Sequence, residues 1–513
     1  MKGEVFRPDP SLPEGHFDVL VIGSGMGGLT AALLLLREGF KVCVVEQHYR
    51  PGGCLHRFFR KRIPFDTGFH YLGGLDDGGT LNQYFKFLGV RDRVSVHHLD
   101  KDGFDVLRFP GYEFRIPAGW GPFVQRLEEE FPAERPAIRR FAEACQEVCR
   151  ESFAYSFVKP KDDELGKYGN VTLGAFLRSL ECSDRLKAVL CGQSFLYGVP
   201  PERTPLELHA HVVDSMLQGP AGIDGGGEAL AQTMVKAIRE QGGVVRTRTP
   251  VTHLELDGGK LTAAHVPKGE PIRARMFISN AHPHHTLDLL PPGAFKPAYV
   301  NRVRDMKNGI ACVAGYFLST APDAPKRNYN MYVNPSFDID RTYRANAFGE
   351  GQTDQKAVFV TFPSDRERVW PFPRMVLSLG IMPWSEVAAY QNSRTGQRSD
   401  EYKALKAKHG AALQRAIEEY LPDHAGHLRI AEISTPLTNR DYTRTAEGAM
   451  YGLEHSVDRW GKYALGTRTK IPNLLLTGHS VLMPGVVGVT IGAFITCSYL
   501  LGFEAIFDRV ARA

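Results

Sequence analysis

The sequence is poor in paired cysteines, in net charge and in repeated segments, and each lack closes off a class of protein. Eight cysteines (Cys43, Cys54, Cys145, Cys149, Cys182, Cys191, Cys312 and Cys497) are scattered over 513 residues without a CxxC pair. That argues against a disulfide framework and fits a reducing compartment. Cys145 and Cys149 share a helical face, but two local thiols without further ligands read as packing, and no metal site is expected. Against 62 basic side chains stand 57 acidic ones, and an excess of +5 leaves no nucleic-acid footprint. Residues 1–16 are polar and proline-rich and lack the apolar run of a signal peptide. Two uncharged stretches, 19–36 and 481–503, are long enough to imitate membrane spans. One contains a glycine cluster and the other opens on Met483-Pro484-Gly485, so both are read as buried elements.

What is present is an ordinary globular composition, 43% hydrophobic and 23% charged, on a chain long enough for two or three structural units. Phe17-Asp18-Val19-Leu20-Val21-Ile22 is an apolar, branched run of the kind a strand buried on both faces requires. It leads into Gly23-Ser24-Gly25-Met26-Gly27-Gly28, then a helical run ended by Gly39, then a second strand closing on Glu46 and Gln47. In this GxGxxG pattern Gly23 permits the tight turn, Gly25 lets a pyrophosphate approach the backbone, and Gly28 lets the helix lie close to the strand. The helix N-terminus offers unpaired N–H groups to phosphate. Glu46 is placed to accept hydrogen bonds from ribose hydroxyls. Strand, glycines, helix and terminal acid together predict a bound dinucleotide.

The next segment narrows this. Arg50-Pro51-Gly52-Gly53 is followed by a basic stretch (Arg57, Arg60, Lys61, Arg62), read as a solvated hairpin turn, and by Phe65-Asp66-Thr67-Gly68-Phe69-His70. An acid-ended strand, a Gly-Gly turn and an FDTG element resemble the N-terminal signature of the FAD-dependent amine oxidase and phytoene desaturase superfamily. Further stretches (residues 194–201, 435–443, Gly448-Ala449-Met450-Tyr451-Gly452 and Gly52-Gly53-Cys54) resemble the retinol saturase and carotenoid cis–trans isomerase group. Amine oxidases carry an arginine after Gly-Gly where this chain has Cys54, which leaves that contact unassigned.

The resemblance implies FAD as cofactor and an α/β fold: a Rossmann-like FAD-binding domain assembled from residues 1–87, 221–290 and 431–513, with a mixed α+β substrate domain from 88–220 and 291–430. It implies cofactor contacts from Gly23, Ser24, Gly25, Met26, Gly27, Gly28, Glu46, Gln47, Gly52, Gly53, Cys54, Leu55 and His56. Val251 is expected beside the adenine, and Gly478, His479, Gly488 and Val489 beside the pyrophosphate and flavin. The absence of a second complete GxGxxG argues against a separate NAD(P)-binding domain.

The implied chemistry is saturation or desaturation of a carbon–carbon double bond in a hydrophobic polyene or isoprenoid, with an unidentified external electron partner. Redox-neutral isomerisation is the alternative; an amine oxidase and a flavin-free prenyl-lipid-binding protein are less favoured readings. Saturation needs a proton donor, and His70, Tyr442, Tyr451 and Glu454 are the candidates, His70 first because it follows the FDTG element. Ala281-His282-Pro283-His284-His285 lacks the spaced partners of a zinc site. The expected location is cytoplasmic, with peripheral contact to the membrane that holds the substrate.

Overall fold

The computed structural model of the protein describes residues 6–159, 167–347 and 357–513. Two seven-stranded sheets dominate these residues. In the first, the strand His16–Ile22 is buried almost throughout and pairs in parallel with Val42–Val45 on one side and Ile272–Ser279 on the other. Val244–Arg246 extends the sheet beyond Val42–Val45, and Leu474–Leu476 pairs in parallel with the end of Ile272–Ser279. The hairpin His253–Asp257 and Lys260–His265 attaches antiparallel to the start of that same strand. Strands from three distant parts of the chain thus build one sheet, the α/β arrangement expected of the cofactor domain.

The two uncharged stretches are explained by this sheet. The helix Met26–Arg37 is buried over eleven consecutive residues because the sheet covers one side and the helices Gly226–Glu240 and Gly485–Leu501 cover the rest. Gly485–Leu501 is apolar all round for the same reason. Its hydroxyls are satisfied on backbone carbonyls, Thr490 on Val486 and Thr496 on Gly492 and Leu476. Among the described residues no helix is long and apolar enough to cross a membrane.

The second sheet runs in the order Leu428–Ser434, Cys312–Ser319, Arg374–Ile381, Val358–Thr361, Asn330–Val333, Asp105–Phe109, Tyr112–Ile116. All its pairings are antiparallel except that of Asn330–Val333 with Asp105–Phe109. It is the mixed sheet expected of the substrate domain. We propose the two sheets as the cores of two domains; Leu428–Ser434 carries the second a few residues past 430.

A two-stranded hairpin, Arg57–Arg60 with Ile63–Asp66, lies between them. Its basic residues are not all solvated. Arg57 is buried and paired with Asp66 at 2.7 Å and with Glu367, so this arginine ties the hairpin to the segment that leads into the strand Arg374–Ile381. Arg60, Lys61 and Arg62 remain exposed.

Candidate functional site

The glycine turn is shaped as its sequence requires. Gly23 takes φ +95°, and its N–H donates to Val45 O at 2.8 Å, tying the turn to the second strand. A Cβ on Gly28 would stand 2.0 Å from Gly23 O, so only glycine lets the helix start this close to the strand. Gly52 (φ +118°) bridges to Gly25 and donates its N–H to Ser24 O at 3.1 Å, which lays the Gly-Gly turn against the first glycine turn. Glu46 closes the far side. Its Oε2 accepts from Ser24 N (2.9 Å) and Ser24 Oγ (2.7 Å), and its Oε1 accepts from His48 N at 2.8 Å.

One cavity of about 960 Å³ opens over this turn. Of the expected cofactor residues, Gly23, Gly25, Met26, Gly27, Glu46, Gln47, Gly52, Gly53, Cys54, Leu55, His56, Val251, His479, Gly488 and Val489 line it. Ser24, Gly28 and Gly478 lie behind the wall: Ser24 braces Glu46, and Gly28 and Gly478 make room for Gly23 and Asn280.

Asn280 escaped the sequence reading. It ends the strand Ile272–Ser279, its N–H donates to Ile22 O at 2.8 Å, and its side chain sits against the turn. A Cβ on Gly25 would meet its Nδ2 at 2.8 Å, and one on Gly27 or Gly478 its Oδ1 at 2.6 Å. The signal available was its position just after the apolar run Met276-Phe277-Ile278.

These residues fit FAD. Glu46 and Val251 line the cavity, and we propose them as the acceptor and the apolar wall for the adenosine end. Gly25 and Gly27, which carry no Cβ, stand on either side of Met26 at the N-terminus of a twelve-residue helix and line the cavity with it. The residues 52–55 and 483–489 border the continuation of the same cavity.

Beyond the glycine turn the wall turns apolar and aromatic, with Tyr71, Phe195, Leu208, Met216, Tyr316 and Phe359 among its residues. Cys54 and Cys312 both face it. Among the described residues the carboxylates in the wall are Glu46 and Glu432, and both have partners. Glu432 is paired with Arg60 at 2.7 Å and with Lys406 at 3.2 Å.

The four proton-donor candidates separate in space. His70 lines the cavity, its ring tilted against Phe359 at 5.6 Å, with Nδ1 lacking a hydrogen-bond partner among the described residues. Burial, helped by the Arg366 charge, lowers its pKa to about 4, so it stays a neutral imidazole at physiological pH. Tyr451 also lines the cavity, but its hydroxyl donates to Phe195 O at 2.9 Å, and burial pushes its pKa well up; it behaves as a wall residue. Tyr442 stands exposed at the rim, edge-on to His48 at 5.8 Å. Glu454 does not line the cavity: its carboxylate is held by Arg203 at 2.6 Å, so the structure gives it a bracing role in place of the expected catalytic one. Of the histidine cluster, His282 caps the helix Pro283–Asp288 and His284 Nε2 is bonded to Val303 O at 2.9 Å, while His282 and His285 also line the cavity.

Residues 26–322 match the family described as flavin containing amine oxidoreductase. The chain belongs to that family. It is an FAD-dependent oxidoreductase. Over 534 aligned residues it is 29% identical to the all-trans-retinol 13,14-reductase of Rattus norvegicus, covering 96% of this chain and 86% of that one. It is 24% identical to the chloroplastic prolycopene isomerase of Arabidopsis thaliana, covering 97% and 85%. Among solved structures, an oxidoreductase from Methanosarcina mazei superposes with a TM-score of 0.62 at 17% identity, over 94% of this chain and 99% of that one, a likeness of fold.

Proposed function

We propose that this flavoenzyme reduces, or in reverse introduces, a carbon–carbon double bond in a hydrophobic polyene or isoprenoid of the retinoid or carotenoid kind. The observation that carries this reading is the wall of the cavity. An amine substrate is a cation and needs an unspent carboxylate when desolvated. Here Glu432 is paired with Arg60 and Lys406, Glu46 stands at the glycine turn where the cofactor takes it, and the chamber past that turn is lined by aromatic and aliphatic side chains. A neutral, oily, conjugated molecule suits it, and the names of the rat and Arabidopsis relatives support the same class.

Bound FAD supplies hydride transfer and the electron pair. The chain's own contribution is to hold the dinucleotide at the glycine turn, to present an apolar chamber in which a polyene lies against it, and to exclude water. Incubating the holoenzyme with a chemical reductant and a panel of conjugated polyenes tests the reading. A product two mass units heavier is expected. A product of unchanged mass and altered retention selects the isomerase reading, which the Arabidopsis relative favours. Peroxide release on adding amines would overturn both.

An insoluble substrate has to arrive from a bilayer, and the cavity rim carries features suited to that. Tyr49 and Phe59 are exposed beside Arg50, whose guanidinium lies 4.8 Å from the Phe59 ring centre. The hairpin tip is Lys61-Arg62, both at positive φ (49° and 69°), where asparagine and glycine are the comfortable residues. Holding two long cationic side chains in that conformation is unfavourable, which is consistent with a tip kept for contact with anionic lipid. Flotation with phosphatidylserine liposomes tests this. A Lys61→Glu/Arg62→Glu double variant removes an attraction of about 1 kcal/mol per basic residue and should stay at the bottom of the gradient. Equal flotation of variant and wild type refutes the tip's role.

A further inference from the structure

The cavity wall contains a buried polar network that neither the cofactor nor the four proton-donor candidates account for. Asp105, at the start of the strand Asp105–Phe109, is completely buried. Its Oδ2 accepts from Tyr71 Oη at 2.7 Å and Gln193 Nε2 at 2.6 Å, and its Oδ1 accepts from Asn330 Nδ2 at 2.9 Å. Tyr71 Oη lies 2.6 Å from Tyr332 Oη. Both tyrosine rings line the cavity, and Asp105 lies behind them. The nearby cation is indirect: Arg366 Nη2 donates to Asn330 Oδ1 at 2.6 Å and to Tyr329 O at 2.7 Å, while its Nε and Nη1 have no partner among the described residues. A fully buried carboxylate without a direct ion pair is expensive to keep, and hydrophobic packing would serve stability better.

We propose that Asp105, Tyr71 and Tyr332 form a proton relay that serves the double-bond chemistry, with Tyr332 as the donor at the cavity wall and Asp105 as the buried reservoir. This rests on the reading of the cavity as a site for double-bond reduction. The step balances as follows. At the carbon next to the one that has received the hydride, a C–H bond forms as the Tyr332 O–H bond breaks. The Tyr332 oxygen takes the Tyr71 proton, Tyr71 takes the proton of the Asp105 carboxyl, and Asp105, left as carboxylate, is recharged from solvent between turnovers.

Hydrogen-bond polarity sets the direction. Each hydroxyl has one hydrogen. When Asp105 is ionised, Tyr71 donates to it, Tyr332 donates to Tyr71, and no hydrogen points into the cavity. When Asp105 is protonated on Oδ2, both bonds reverse and the Tyr332 hydrogen is free for the substrate. Burial raises the Asp105 pKa to about 6 against the opposing pull of Tyr71, Asn330, Gln193 and Arg366, so both forms are populated near neutrality. The titratable groups facing the relay are Tyr71, Tyr332, Tyr343, Tyr451, Arg366 and His70. Burial raises the tyrosines and lowers His70 to about 4 and Arg366 to about 10, so Asp105 is the member that changes charge between pH 5 and 7. Reduction should slow as pH rises through about 6, and the reverse reaction should quicken.

The test uses prereduced holoenzyme with all-trans-retinol and a linear carotene as probes, and infrared titration of the carboxyl band in the substrate-free holoenzyme. Tyr332→Phe should keep its FAD and its thermal midpoint yet saturate the probe about 10²–10³-fold more slowly, the usual weight of a general acid. Tyr71→Phe should lose the pH dependence of the rate. In the infrared, a buried carboxyl should titrate near pH 6 in wild type and Tyr332→Phe and vanish in Asp105→Asn. Should that last variant not fold, Tyr71→Phe serves instead, since losing its hydrogen bond to Asp105 moves the titration upward. A Tyr332→Phe rate within threefold of wild type, a flat wild-type pH profile between 5 and 7, or no carboxyl titration in that window overturns the relay. An active wild type with an equally active Tyr332→Phe leaves the double-bond reading standing. A wild type that never yields the heavier product removes that reading, and the relay with it.

Discussion

Replacing Gly28 by alanine tests how the cofactor site is built. The added methyl would lie 2.0 Å from Gly23 O and 3.2 Å from both Gly23 C and Val21 Cγ1. Backbone stands on both sides of the clash, so no rotamer relieves it; the helix Met26–Arg37 or the Gly23 turn has to move by about 1 Å in a close-packed core. Overpacking of this kind costs about 1–3 kcal/mol, and a backbone clash belongs at the upper end. At about 2–4 °C per kcal/mol for a domain of this size, the thermal midpoint should fall by about 6–12 °C. The same displacement misplaces the helix N-terminus against the pyrophosphate, and an ångström of misplacement is worth about 10²-fold in a positioned interaction. The assay is the flavin-to-protein absorbance ratio after gel filtration, with thermal scans with and without added FAD. Gly25→Ala is the internal control. Its methyl would meet only the tip of the Asn280 amide, at 2.8 Å, so Asn280→Ala should relieve its structural strain and leave that of Gly28→Ala untouched. A Gly28→Ala protein that purifies fully yellow with a midpoint within about 2 °C of wild type would refute the reasoning.

Glu46→Ala removes three hydrogen bonds from a buried carboxylate and leaves Ser24 and His48 N–H groups without their acceptor. Each charge-assisted bond is worth about 1.5–3 kcal/mol, so FAD affinity by fluorescence titration should fall at least tenfold. Unchanged affinity would place the ribose elsewhere. His70 has a folded pKa of about 4 against an ordinary 6.5, so the folded state binds fewer protons between those values. The resulting stabilisation is complete above 6.5 and is lost as pH falls toward 4, about 3 kcal/mol in all. Denaturant unfolding of wild type and His70→Gln at pH 7 and 4.5 checks this, and a stability difference that ignores pH contradicts it. Glu454→Gln breaks the pair with Arg203 and should lower stability by about 1–3 kcal/mol while leaving product formation unchanged; a collapse of turnover with FAD intact would restore Glu454 to the chemistry.

What the sequence made legible was what is local. The strand, glycine turn, helix and Glu46 lie within one short βαβ stretch, and their spacing alone dictates hydrogen-bond geometry that the structure then displays. The two uncharged stretches also yielded, because interrupting glycines mark a buried element. Sites assembled from afar were opaque. Asn280 reaches the glycine turn only once its strand has paired with His16–Ile22. Asp105, Tyr71 and Tyr332 come from three separate segments, brought together by the parallel pairing of Asp105–Phe109 with Asn330–Val333. No periodicity or spacing encodes that. Glu454 and Arg57 misled for the complementary reason: a charged side chain is read by default as reactive or solvated, and its partner, Arg203 in one case and Asp66 with Glu367 in the other, is invisible until the chain folds.

The helix Gly485–Leu501 has a bearing on how the protein is born. It covers Met26–Arg37, and Cys497 contacts the Ala31 carbonyl across 466 residues of chain. At about 5–20 residues per second, roughly 20–90 s separate the emergence of the two on a ribosome. For that interval a leucine-rich helix beside the cofactor turn stands without its cover. Newly made protein should therefore need a holding chaperone, and chains stalled before Gly485 should aggregate through that bare face and fail to retain flavin.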